Sequence, residues 1–359
     1  MTASRSHSSL PHFLAALYGL AIVYASLQPF ANWMAPLPGT AFFLFAPWPP
    51  RWVRYDIVTN LVAYIPFGFF VALVPRRHQL HLRLGVAVGA GAALSFVMET
   101  LQMYVPTRDA SVADLLSNTA GAALGGTLAV AFARSRDAKR AIASARDRWF
   151  IPGTVGDLGL ALLAIWLVVQ VNPGIPLFAT MYDPSPRPGA AAAPHDVAAT
   201  LVESAHSAFQ LLGVGLFLAL LLRERRYVGG AALLLIGAAA LVKGVAAAVL
   251  LNPAVWENWL NPGASLGVAA GSLLLFMAIW LPRPAQVTLA AVALLSSLLA
   301  TLFAPDLLFA RAPVAHFNRA YGHLLNFNGL THTVLLLWPA VASAFLFALA
   351  GRPSWGEPR

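Results

Sequence analysis

The sequence predicts an all-α fold, a polytopic transmembrane helix bundle of about ten spans, and three observations predict it. Of the 359 residues 59% are hydrophobic and 10% charged, with a mean hydropathy of +0.70, a balance far from that of a water-soluble domain. Apolar runs recur along the whole chain, and at about 18 to 23 residues each is long enough to cross roughly 30 Å of hydrocarbon. The runs are continuous and lack the out/in alternation of membrane strands, which leaves helices as the spanning element.

The first run, 13–30, follows Arg5 and ends in Gln28, Pro29 and Phe30. It has no small-residue cleavage site, so it reads as an uncleaved span. The others are 56–74, 84–105, 114–133, 155–171, 197–222, 229–251, 264–281, 285–303 and 331–350. An even number puts both termini on one side, and the basic residues say which. The tails and one alternating set of loops hold most of the 23 Lys and Arg, among them Arg76, Arg77, Arg134, Arg136, Lys139, Arg140, Arg223, Arg225, Arg226 and Arg352. By the positive-inside rule both termini are cytoplasmic. The segment 134–149 is the longest polar stretch on that side, and its pattern suits an amphipathic helix on the anionic inner leaflet. It divides a four-helix region, 1–150, from a six-helix region, 151–359.

Composition also excludes. With no cysteine there is no disulfide, thiolate nucleophile or cysteine metal site. The net charge of +9 is scattered over short loops, so it marks topology and gives no nucleic-acid surface. The expected partner is the lipid bilayer, no cofactor is implied, and the oligomeric state is not written in the pattern. Trp33, Trp48, Trp52, Trp256 and Trp259 fall in outer loops, where an interface belt is their ordinary role. His316, Asn318, Tyr321, His323, Asn326 and Asn328 crowd the last outer loop, and 182–195 reads as a flexible Pro, Ala and Gly loop.

Charged groups inside spans are costly, so their positions are informative. Asp56 and Asn60 lie four apart at the outer end of the second span. Ser95, Glu99 and Gln102 share one face of the third, and Asp114 and Asn118 open the fourth. All three polar faces are expected at one membrane depth, forming an outward-facing pocket. Arg108, in the loop above, suits a bidentate pair with Glu99, leaving Asp109 and Asp114 to cap the next helix; Asp109 and Ser111 also suit turn and cap roles. Gly121 and Gly125 form a small-xxx-small packing face, and Pro66, Phe67 and Gly68 interrupt the second helix. The same pattern also fits a packing network whose charges cancel internally.

The run Asp56, Asn60, Pro66-Phe67-Gly68, Glu99-x-x-Gln102, then Arg108-x-x-Ser111-x-x-Asp114-x-x-x-Asn118-x-x-Gly121-x-x-x-Gly125 resembles the VanZ-like family of bacterial membrane proteins over about 18–132. The resemblance implies a cell-envelope role with a link to glycopeptide (teicoplanin-type) resistance, in a bacterial cytoplasmic membrane, and no defined reaction.

A second polar set, Glu203, His206 and Gln210, lies in the sixth span, with Lys243 in the seventh and His332 in the tenth. Lys243 is too deep to snorkel, so it is expected to pair with an acid, Glu203 first, with His332 able to join. A Glu-x-x-His pair resembles carboxylate-bridged metal bundles, but the second copy those need is missing, so no metal is expected. Three functions suit this sequence. The first is binding of, or action on, a lipid-linked or glycosylated envelope component, centred on Glu99 and Asp114. The second is acid/base catalysis on a lipid-linked sugar or phosphate. The third is proton-coupled transport using Glu203 and Lys243.

Overall fold

The computed structural model describes residues 8–28, 30–46, 54–75, 79–179, 197–250, 258–303 and 322–352. Among them every regular element is a helix, apart from one isolated bridge between Phe150 and Leu222. Eight helices are long and apolar enough to cross a membrane, and Gly153–Val169 and Pro262–Ala278 are shorter apolar helices. Trp48, Trp52, Trp256 and the segments 182–195 and 316–321 lie outside the described residues. His323, Asn326 and Asn328 belong to a helix that begins at Gly322, not to a loop.

The chain divides into two compact units, Met1–Asp147 and Arg148–Arg359. The first holds α1 (Leu10–Leu27), α2 (Arg54–Leu73), α3 (Leu80–Gln102) and α4 (Val112–Arg134), followed by α5 (Arg136–Trp149), which crosses the boundary. Here α4 packs closely on α2 and α3, and α1 lies against α2 and α3. Glycine permits this. A Cβ on Gly121 would meet the Leu61 carbonyl, and one on Gly125 the Ile65 carbonyl, so α4 rests directly on the α2 backbone. Ala122, fully buried, faces Gly68 of α2 on one side and Gly91 of α3 on the other. Lipid supplies no hydrophobic drive between helices, so such close contact and its dispersion energy hold them together.

Two expectations are corrected here. The Pro66-Phe67-Gly68 run does not break α2, which continues from Arg54 to Leu73 with Pro66 inside it. Proline removes one N–H, that facing the Val62 carbonyl, while the close approach of α4 holds the helix on course. The third helix stops at Gln102, earlier than Pro106 requires, in a turn through Met103 and Tyr104.

The second unit contains α6 (Gly153–Val169), α7 (Val197–Leu221), α8 (Val228–Leu250), α9 (Pro262–Ala278), α10 (Arg283–Phe303) and α11 (Gly322–Ala350). Its centre is α7, where Leu211, Val214, Leu216, Phe217, Leu220 and Leu221 are all almost completely buried. Gly267 and Gly271 of α9 press on the α7 backbone at Ser204 and Ala208, a small-residue face that sequence reading passed over. Trp338 of α11 closes the other side by donating its indole N–H to the Leu162 carbonyl at 2.8 Å.

Candidate functional site

A helix leaves its last four carbonyls without partners, and inside a membrane no bulk water satisfies them. At the end of α1 each one is answered. The Tyr24 carbonyl accepts from Gln28 N–H at 3.0 Å and the Leu27 carbonyl from Phe30 N–H at 3.0 Å. The two between are reached by side chains: Arg108 Nη2 donates to the Ala25 carbonyl at 2.8 Å, and Gln102 Nε2 to the Ser26 carbonyl at 2.9 Å. Arg108 therefore sits at the negative end of the α1 dipole. Burial lowers its guanidinium from the ordinary value, against an opposing pull from the Glu99 charge.

The expected Arg108 to Glu99 ion pair is therefore not formed; Glu99 finds a different donor. Its Oε2 accepts the backbone N–H of Ser111 at 2.8 Å, just where the chain turns into α4. Ser111 is the N-cap of that helix, its hydroxyl accepting from Ala113 and Asp114 N–H at 3.1 and 3.3 Å. Three residues after a serine cap, an acidic side chain ordinarily folds back onto the cap's own N–H. Here Glu99 occupies that N–H, and Asp114 reaches across to α2 and accepts from Asn60 Nδ2 at 2.7 Å. The cap is thus Ser111, and neither Asp109 nor Asp114 serves as one.

Asn60 of α2, Glu99 of α3 and Asp114 of α4 make one polar layer, and the two carboxylates are near enough for their charges to interact. Asp56 lies one turn before Asn60 in the first turn of α2, half-buried. One turn deeper is a second layer. Asn118 Nδ2 donates to Ser95 Oγ at 3.0 Å, with both side chains buried. Tyr64 completes this layer, four residues after Asn60, with its hydroxyl near Ser95 and near enough to Glu99 for that carboxyl group to act on it. Sequence reading missed Tyr64, although Asp56, Asn60 and Tyr64 recur every four residues along α2. The Tyr64 hydroxyl and Asn118 Oδ1 are buried without a hydrogen-bond partner.

Loss of the cap hydroxyl tests how α4 is set. Ser111→Ala keeps the N–H that Glu99 holds and deletes only the acceptor, so it is expected to cost about 1 kcal/mol. The expected reading is a lower melting temperature of the purified protein in detergent; an unchanged one would count against the cap.

The later polar set is rearranged. Lys243 is fully buried and donates to the Asn172 and Ile175 carbonyls at 2.8 and 2.9 Å, not to Glu203. Glu203 instead lies over Gly263 in the first turn of α9, where the positive end of a helix favours a carboxylate. His206 meets Ser297 of α10 at 3.2 to 3.3 Å. Gln210 is buried with its Oε1 unpartnered. From α11 the side chain that joins the Asn172 network is Thr331, bonded to Asn172 Nδ2 at 2.7 Å, next to half-buried His332. Among the described residues no three His, Asp or Glu side chains gather as a metal set.

One buried and one half-buried carboxyl group, Glu99 and Asp114, beside amides and an unmatched hydroxyl suit a partner rich in hydrogen-bonding groups: a sugar, an amide or water. No curated protein and no solved structure matches the chain. Its N-terminal part does match a family model: residues 4–133, the region of α1 to α4 with its polar layers, match VanZ/LLP1.

Proposed function

We propose that this is a membrane protein of the bacterial cytoplasmic membrane, with about ten spans and both termini inside, whose VanZ/LLP1 domain recognises a polar cell-envelope component at the outer face. The ligand is lipid-linked or glycosylated, and Glu99 and Asp114 are the central groups. Residues 1–150 form the recognition region and 151–359 a helical support of separate core. The family supports an envelope role, including a link to glycopeptide resistance, and the charge bias of the loops supports the orientation.

One observation carries the reading. The polar layers are nearly self-satisfied but lack two bonds, at the Tyr64 hydroxyl and Asn118 Oδ1. A buried polar atom left unmatched costs about 1 to 3 kcal/mol. A hydroxyl or amide from a ligand removes that cost, whereas a purely structural network gains nothing from the gap. Gln102 and Arg108, which hold the end of α1, act by positioning that helix over the layers.

Glu99→Gln keeps the shape of the side chain and replaces its carboxyl group with an amide, and is expected to change sensitivity to glycopeptides or envelope stress at matched membrane abundance. Unchanged sensitivity would remove Glu99 from the site.

A further inference from the structure

Helix α5 is the one long helix among the described residues that has no buried residue. Its polarity is sorted by face. Ala138, Ala141, Ile142, Ala145 and Trp149 recur at three- and four-residue spacing and fall on one side. Ile142, at the centre of this stripe, is 59% exposed. By the same periodicity Lys139 and Arg148, both exposed, flank the stripe on its two sides, with Asp137 beside Arg148, while Asp147, Arg136 and Arg140 fall on the far side. Basic residues therefore border the apolar face on both sides, and the helix carries five basic residues against two acids.

We propose that α5 is a membrane-surface helix that seats its Ile142 stripe among anionic phospholipid headgroups, on the membrane face reached by the C-terminal end of α4. Connectivity keeps it there. Only Ser135 separates α5 from the span α4, and only 150–152 separate it from α6. A helix tied this closely to two apolar neighbours stays near the membrane surface, and it is too polar to enter the hydrocarbon. The apolar side is narrow and mostly alanine, so hydrophobic burial alone holds it weakly. Attraction of Lys139 and Arg148, the exposed basic residues beside the stripe, to a negative surface, about 1 kcal/mol per basic residue close to it, supplies the rest. Arg146, partly buried and paired with Asp147 at 3.5 Å, is left out of that set.

The chain contains no cysteine, so a single introduced one carries a label without background. The full-length Ile142→Cys and Asp147→Cys proteins, each bearing a polarity-sensitive dye, are compared in vesicles of phosphatidylcholine alone, in vesicles with about a third phosphatidylglycerol, and in detergent. The expected result is a blue-shifted label at position 142 in anionic vesicles, protected several-fold from aqueous iodide, and a label at 147 that remains accessible throughout. Protection at 142 that is equal in both vesicle types would overturn the recognition of anionic lipid. Protection that persists in detergent would assign the stripe to a protein contact instead. Reversing charge with Lys139→Glu and Arg148→Glu in the labelled protein is expected to remove the difference between vesicle types; a difference that survives overturns the proposal. Helical content by circular dichroism separates that loss from a failure to fold.

Discussion

Gly125→Leu is expected to dismantle the N-terminal unit, lowering its stability by about 3 kcal/mol or more, the upper end of overpacking. The Cβ alone would meet the Ile65 carbonyl and lie 2.7 Å from the Phe69 amide nitrogen. Those atoms belong to the α2 backbone and cannot rotate away as a side chain would. Either α4 withdraws from α2, which separates Asp114 from Asn60, or α2 bends at a helix already deprived of one hydrogen bond by Pro66. A matched control sharpens the test: Gly89 of α3 is exposed with nothing within 4 Å of an added Cβ. Gly89→Leu is expected to leave the melting temperature unchanged or raise it, since glycine is the poorer helix former. Equal behaviour of the two variants in detergent melts would show that α2 and α4 do not rely on backbone contact.

The contrast between what could and could not be read from sequence follows from the chemistry of the partners. Positions were legible because the cost of burying polarity is written in the side chains themselves. Asp56, Asn60, Ser95, Glu99, Asp114 and Asn118 stand out of apolar runs at helical spacing, and helical geometry alone puts each set on one face. Partners were not legible where the acceptor is main chain. Glu99 bonds an amide N–H, Arg108 and Gln102 bond the carbonyls ending α1, and Lys243 bonds two carbonyls after α6. Arg83 does the same for the Ala72 carbonyl near the end of α2, and Gln286 for carbonyls at the end of α9. A carbonyl carries no residue identity, so pairing by opposite charge suggested Arg108 with Glu99 and Lys243 with Glu203. In a bilayer the orphaned helix end competes successfully for the cation, because no water is there to replace it. Tyr64 was hidden for a different reason, since an aromatic ring in an apolar span looks like packing until its hydroxyl is placed.

Lys243→Met is the corresponding test in the second unit, with an expected loss of about 2 to 4 kcal/mol. Two terms oppose each other. Methionine nearly matches the volume and removes a buried charge, which by itself is favourable. It also leaves the Asn172 and Ile175 carbonyls facing an apolar chain, at about 1 to 3 kcal/mol each. The second term is expected to win because Asn172 is fully engaged. Its N–H reaches the Val169 carbonyl at 3.2 Å, its Nδ2 reaches Thr331 at 2.7 Å, and its Oδ1 accepts from Gly174 N–H at 2.9 Å. A residue tied in three directions cannot turn its carbonyl to another donor without breaking one of the others. The same segment holds Phe178 at a φ of +56°, a left-handed conformation that a bulky side chain keeps only under tertiary restraint. Leu177 N–H on the Trp259 carbonyl, at 2.9 Å, supplies one such restraint and Lys243 supplies the other. The variant is therefore expected to show faster amide exchange over 170–179 before any global loss of helicity. Unchanged exchange there, with equal or higher thermal stability, would mean that burying the ammonium costs more than its two bonds return, and that the segment after α6 is held by Asn172 and Trp259 alone.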